Sequence, residues 1–279
     1  MDWIDQGTIL SAVRSDKYPS LRCYGIIITA RCDIANDKVS KLYFLIAADV
    51  KTWVCTAPIY RQIYKGKIRA EREKFLMAMQ KCELNGEILL NFPREEAIMM
   101  IQSAVNDPQI CAKAEQMYRE IAALDYAHMT DNERCAYILQ NKKPVIDFLK
   151  NINKGDIIHY LYLPQDTYLE NGVTDEGLIV DLQEIESIAM QDMKSVKLPN
   201  INYLLFSSYE KELRERLAKR FWLEDQADFV KVVGTITSPW REYLMQRFSF
   251  SFSRIGVDAP GPDDFDRLLN KLEIQGETT

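Results

Sequence analysis

Five residues whose side chains are able to act together on RNA cluster near the first predicted strand pair: Arg14, Arg22, Arg31, Cys32 and Asp33. Cleavage of RNA without a metal needs a base that activates the 2′-hydroxyl and a cation that stabilises the phosphate in the transition state. Asp33 and Arg22 have the chemistry for these two roles. The alternation of polar and apolar residues from Arg31 onwards is also typical of a strand end that reaches water, which is the structural alternative.

Cys32 is a second candidate, as a nucleophile that requires a base within hydrogen-bonding reach. The chain has two histidines, His128 and His159, and His159 falls in a later predicted strand. A Cys32–His159 pair is therefore one hypothesis, and a half-buried packing histidine is the other. With so few histidines and no C-x-x-C pair among six cysteines, we expect no metal site, and no motif predicts a cofactor.

Two stretches have the composition of binding surfaces. A basic stripe carries Arg61, Lys65 and Arg69 with interleaved tyrosines, a pattern that suits a nucleic-acid backbone and its bases. Because acids fall in the same stretch, a solvated helix face is the alternative. Further on, Trp240, Arg241 and Arg247 form an aromatic and arginine-rich helix of the kind found at protein–protein hot spots. Alternatively, its rings belong to the core and its arginines face water or pair with the acidic run at 263–264.

The elements that must position these residues fall into three predicted regions. Residues 1–58 form an N-terminal β-rich module with strands over 8–13, 24–29 and 41–47, and residues 59–151 form a helical region rich in Leu, Met, Ala, Glu and Lys. Thr130 and Glu133 have the spacing of a capping box inside that region. Residues 152–279 form a second β-rich module with C-terminal helices, the last over 262–272.

The two β-rich stretches resemble each other. Gln6-Gly7-Thr8-Ile9-Leu10 aligns with Lys154-Gly155-Asp156-Ile157-Ile158, which predicts a strand from Gly155, and residues 25–29 align with residues 177–181. A duplication and a chance recurrence of strand-loop-strand patterns both explain this alignment.

The stretch from Gly155 to Val180 also resembles the opening of MazF/PemK-like toxins, small SH3-like barrels that cleave RNA. The resemblance implies an α+β protein with two SH3-like β-barrel modules separated by the helical region. It also implies a metal-independent endoribonuclease of a prokaryotic stress or defence system. The arginine that carries catalysis in the family is matched by Arg22 in the first copy, whereas the second copy has Thr174-Asp175-Glu176 there.

Composition narrows the function classes. With 47% hydrophobic residues, 27% charged residues and a net charge of -6, the chain has no general basic field for nucleic acid or membrane. An acidic N-terminus and the lack of a long apolar run predict a cytoplasmic protein without a membrane span, and hence six reduced cysteines without disulfides. Phosphate-binding, dinucleotide, zinc-protease and hydrolase motifs are missing. The leading prediction is therefore a non-enzymatic recognition or regulatory protein of a prokaryotic stress or defence system that binds another protein or RNA; the alternative is the endoribonuclease.

Overall fold

The computed structural model describes residues 4–122, 124, 129–169, 177–195, 200–224 and 229–253. The predicted helix over 262–272 and the acidic run at 263–264 lie outside this range, as do His128 and residues 174–176. No helix in the described ranges is long and apolar enough to cross a membrane.

The N-terminal stretch forms three antiparallel strands, as predicted. They are β1 (Thr8–Val13), β2 (Cys23–Ile27) and β3 (Lys41–Asp49), and β2 pairs with both others. A short helix, α1 (Arg31–Ala35), connects β2 to β3, so the segment around Cys32 is helical and is not the strand end that its alternation suggested.

A helical region follows and confirms the predicted change of character. Asp49 accepts hydrogen bonds from the first amides of the first helix here, and Thr130 with Glu133 forms the predicted capping box. The helices are α2 (Val50–Val54), α3 (Ala57–Lys81), α4 (Gly86–Leu89), α5 (Arg94–Ala104), α6 (Pro108–Ala122), α7 (Asp131–Gln140) and α8 (Lys142–Lys154).

The second β-rich stretch begins later than predicted. Gly155 does not start a strand; it ends α8 in the left-handed conformation at φ 81°, where glycine is favoured, and the strand starts at Tyr160. The elements that follow are β4 (Tyr160–Leu163), β5 (Tyr168–Leu169), β6 (Leu178–Ala189), α9 (Met190–Ser195), β7 (Asn200–Asn202), α10 (Tyr203–Ser207), α11 (Lys211–Ala218), β8 (Phe229–Ile236) and α12 (Trp240–Ser253).

The predicted α+β class is confirmed, but the described residues do not form two closed SH3-like barrels. β3 pairs with β6 from Lys41↔Ala189 to Asp49↔Leu178, so both β-rich stretches belong to one antiparallel sheet. Its order is β4-β6-β3-β2-β1-β8-β5, with β7 also on β8. β4 and β5, at the two ends of this order, are joined by residues 164–167 but share no ladder in the described chain, so the sheet stays open.

Apolar side chains cover both faces of the sheet, which explains why β2 and β3 read as continuous apolar runs. Phe44 and Ile46 point to the face that packs on the helical region, and Leu45 and Ala47 point to the face under α12. A third cluster holds the outer part of α3 against α5 and α6.

The prediction that all cysteines are reduced is wrong. Cys55 and Cys135 form a disulfide across a separation of 80 residues, whereas Cys23, Cys32, Cys82 and Cys111 are free. Sequence spacing does not show this pair, because the residue after α2 and the second turn of α7 meet only through the packing of the helical region.

Candidate functional site

A surface groove runs between α8, β4 and the start of α12, and we call it the α8–α12 groove. It consists of two neighbouring cavities of about 390 and 420 Å³ that share Asn153 and Tyr162. The remaining lining residues are Val50, Ile146, Leu149, Lys150, Ile152, Leu161, Pro239, Trp240 and Tyr243.

The amphipathic pattern of α8 produces one wall of the groove. Val145, Phe148 and Ile152 are buried in the main core, which turns Ile146 and Asn153 towards the groove. Ile146 is 47% exposed, although it is a large apolar residue. This wall therefore leaves apolar surface in water that a binding partner would cover.

The first turns of α12 produce the opposite wall. Leu244 is buried against the sheet, while the rings of Trp240 and Tyr243 lie edge to face with centroids 5.8 Å apart. Tyr243 remains 38% exposed. Trp240, a predicted binding residue, therefore lines the groove, and Tyr243 extends its aromatic surface.

A close backbone approach shapes the floor. Gly177 has a φ of 83°, and a Cβ there would lie 2.6 Å from the carbonyl oxygen of Leu163 and 2.9 Å from the ring of Tyr162. Only glycine fits this position without displacing the Tyr162 ring from the groove.

Arg247 lies one turn beyond Tyr243 on α12, beside Gly155 at the end of α8. Its Nε and Nη2 atoms are buried and have no hydrogen-bond partner in the described chain. Buried donors of this kind are nearly always satisfied, and a carboxylate is the acceptor that suits a guanidinium best. Arg241, the third predicted residue on this helix, pairs with Glu242, and neither Arg241 nor Arg247 is part of the groove lining.

A polar cluster surrounds the bulge of β6 between Asp181 and Ile185. The buried carboxylate of Asp181 accepts hydrogen bonds from Tyr18 and Lys17, and Ser15 donates to Glu184. Burial raises the pKa of the Tyr18 hydroxyl, and the charge of Asp181 adds to this effect. Lys17 also has a raised pKa, so it is a fixed cation and not a base. Because these groups pair with one another, we interpret the cluster as structural.

Next to this cluster lies a cleft of about 470 Å³ whose lining includes Arg14, Arg220 and Trp222. The Arg14 guanidinium stacks on Trp222 at 4.2 Å and pairs with Glu224, and Arg220 pairs with Glu186. Both arginines therefore already pair with carboxylates, and Lys219 and Asp16 add one charge of each sign to the lining.

The predicted basic stripe is a solvent-facing side of α3. Arg61, Lys65 and Arg69 are exposed at a spacing of four residues, and Arg69 pairs with Glu73. The interleaved Tyr60 and Tyr64, however, are fully buried, where they pack on each other and on Tyr137. The expectation that these rings offer a stacking surface for bases is wrong, because the helix turns them into the core.

The predicted catalytic residues do not come together. Arg22 immediately precedes β2, whereas Asp33 and the exposed Cys32 lie in α1 beyond its other end. A strand of this length separates its ends by roughly 13 Å. Cys32 has its thiol 3.6 Å from Asp33, its neighbour in sequence. The carbonyl oxygen of His159 accepts a hydrogen bond from the amide of Leu182 in β6. The end of β6 nearest α1 is Ala189, which is several residues further along the strand.

Most of the groove was not predicted from the sequence, because its walls come from segments some 90 residues apart. In the sequence, Asp181 is the residue that indicates the polar cluster, since a carboxylate inside the apolar run of β6 requires a partner. No protein-family model, curated protein or solved structure matches this chain.

Proposed function

We propose that this protein works by recognition, and that its α8–α12 groove binds an apolar helical segment of a partner protein. The observation that carries the proposal is the exposed apolar and aromatic surface of the groove, with Ile146 on one wall and Tyr243 on the other. Aromatic and arginine side chains in desolvated pockets provide most of the binding energy at protein interfaces.

The groove favours a protein over RNA as the partner. Its aromatic rings are accompanied by aliphatic side chains, including Ile146 and Leu149, and its described lining holds a single cation, Lys150, whereas phosphate binding depends on several. An amphipathic helix inserts its apolar face into a groove of this kind. Lys150 in the lining adds a preference for an acidic residue beside that face.

The endoribonuclease alternative receives no support from the positions of Arg22 and Asp33. A cytoplasmic location and a role in a prokaryotic stress or defence system, both expected from the sequence, stay predictions of this proposal.

The proposal is tested by affinity capture from the organism that makes the protein, with Ile146→Glu and Tyr243→Glu as groove variants. Leu139→Glu is the matched control, because Leu139 is 66% exposed on α7, outside the groove. We expect one discrete protein that the wild type and the control retain and both groove variants lose. Equal retention by all four proteins would contradict the proposal.

A further inference from the structure

We infer that the cleft of about 470 Å³ next to the polar cluster binds a small zwitterion, a molecule that carries one carboxylate and one ammonium group as a free amino acid does. Its volume lies within the range of small-molecule sites. The cleft is separate from the α8–α12 groove, and the inference does not depend on the proposed function.

The cleft forms where the residues after β1 meet the segment that follows α11. The amide of Arg14 donates a hydrogen bond of 2.8 Å to the carbonyl oxygen of Arg220. Beside this bond, Val13 and Phe221 form an isolated β-bridge, and both are fully buried. Because the backbone holds the two sides together, the cavity is formed before a ligand binds, as small-molecule sites usually are.

The two arginines of the lining are held by partners of their own. The guanidinium of Arg14 stacks on Trp222 at 4.2 Å and pairs with Glu224. Arg220 pairs with Glu186, whose side chain is only 16% exposed. Since a carboxylate matches each guanidinium, the two arginines give the cleft no net positive charge for a phosphate or another simple anion.

Asp16 and Lys219 carry the unmatched charges of the lining. Both residues are exposed, and neither forms an ion pair or a side-chain hydrogen bond within the described ranges. A ligand with one negative group would pair with Lys219 alone, and a ligand with one positive group would pair with Asp16 alone. A zwitterion complements both residues, and electrostatic complementarity of this kind determines which ligand is selected.

The rest of the wall indicates the rest of the ligand. Pro19, Ala218 and the ring of Trp222 provide apolar surface in the cleft. A free amino acid has its two charged groups on one carbon, so its side chain is available for this surface. We therefore expect an apolar or aromatic side chain, and an affinity in the millimolar range because exposed ion pairs contribute little.

Thermal melts of the full-length protein with the free proteinogenic amino acids test the inference. Each amino acid is compared with its N-acetyl form, which lacks the ammonium group, and with its amide, which lacks the carboxylate. We expect at least one apolar or aromatic amino acid to raise the melting temperature of the wild type. Both of its derivatives should raise the melting temperature less.

Calorimetric titration of that amino acid then locates the site. Asp16→Asn and Lys219→Gln should each lower its affinity by about threefold or more. Asp16→Asn should bind the free and N-acetyl forms equally, and Lys219→Gln should bind the free and amide forms equally. Lys211→Gln is the matched control and should keep the wild-type affinity, because Lys211 is 82% exposed on α11, outside the cleft lining.

The inference is overturned if no amino acid raises the melting temperature of the wild type. It is also overturned if one of the derivatives, or inorganic phosphate, binds as tightly as the free amino acid, because the ligand then needs one charge only. Unchanged affinity in either cleft variant would contradict it as well. None of these results bears on the capture of a partner by the α8–α12 groove.

Discussion

The hydroxyl of Tyr18 donates a hydrogen bond of 2.7 Å to Oδ2 of Asp181, a residue 163 positions away, and both side chains are almost completely buried. Lys17 donates to the same oxygen, and the amide of Gln183 donates to the other at 3.1 Å. These contacts attach the loop after β1 to the bulge of β6. They therefore connect the first β-rich stretch to β6. Strand β6 also pairs with β4, and β4 forms part of the groove.

Tyr18→Phe should lower the free energy of unfolding by about 2 kcal/mol, because it leaves a buried carboxylate with one donor fewer. Tyr43→Phe is the matched control: Tyr43 is 46% exposed, and its change should stay within about 0.5 kcal/mol. Urea denaturation measures both. Equal effects in the two variants would show that the Tyr18–Asp181 bond is not stabilising.

Lys17 makes stability depend on alkaline pH. Burial lowers the pKa of Lys17, but the hydrogen bond and the charge of Asp181 outweigh this effect and raise it above the ordinary value of 10.5. A raised pKa means that the stabilisation is complete below 10.5 and is lost as the pH rises through the folded-state value. Lys17→Met should therefore be less stable than the wild type near neutral pH, with a difference that shrinks above 10.5. Thermal melts across this range test it, and a constant difference would contradict the ion pair.

Two glycines should respond to alanine in opposite directions. At Gly25 in β2, a Cβ would lie 2.9 Å from the Phe44 ring and 3.0 Å from Val13, so Gly25→Ala should destabilise by about 1–3 kcal/mol through overpacking. At Gly66, inside α3, nothing lies within 4 Å of the added Cβ. Gly66→Ala should therefore stabilise by about 0.5–1 kcal/mol. Denaturation midpoints check both, and the same sign for both would contradict the packing described.

The Cys55–Cys135 disulfide should be detectable and stabilising. Closing a loop of 80 residues corresponds to about 4.5 kcal/mol in the chain-entropy description, so Cys135→Ser should lower stability by up to that amount. Alkylation of the native protein without reductant should modify the exposed Cys32. Burial raises the pKa of Cys23 to about 12, so its thiol should not react. Alkylation of Cys55 and Cys135 before reduction would show that the bond is absent.

RNA cleavage should not depend on the residues first suggested by their chemistry. Because β2 separates Arg22 from Asp33, we expect Arg22→Ala with Asp33→Ala to leave the wild-type result on end-labelled RNA unchanged, with chelator present. Cleavage by the wild type that this double variant abolishes would restore the endoribonuclease hypothesis.

Local signals in the sequence predicted the helices and strands well, but they did not predict which distant strands pair. Thr130 with Glu133 marked a helix start that the structure confirms, since a capping box acts within three residues. Gly155 was misread, because a glycine that ends a helix and one that begins a strand look alike without knowledge of φ. The β3–β6 pairing depends on the register between residues about 140 positions apart, which no local pattern contains.

The candidate site was predictable to a similar degree. Trp240 was predicted as a binding residue because arginines lie near it in the sequence. Tyr162, Ile146 and Leu149 lie beside it in the groove only because α8 packs beside β4. Tyr60 and Tyr64 show the opposite case. Their spacing on α3 is that of a buried helix face, but the basic residues between them favoured the interpretation as a nucleic-acid surface.

The most direct test of the central claim is site-specific photo-crosslinking, with a benzophenone side chain at position 243 in the full-length protein in its native cells. The α8–α12 groove as the recognition surface predicts a discrete crosslinked protein from position 243 and from position 146, and none from position 139. Crosslinks to a partner that form from position 139 as readily as from 243, or none from 243 and 146, would contradict the claim.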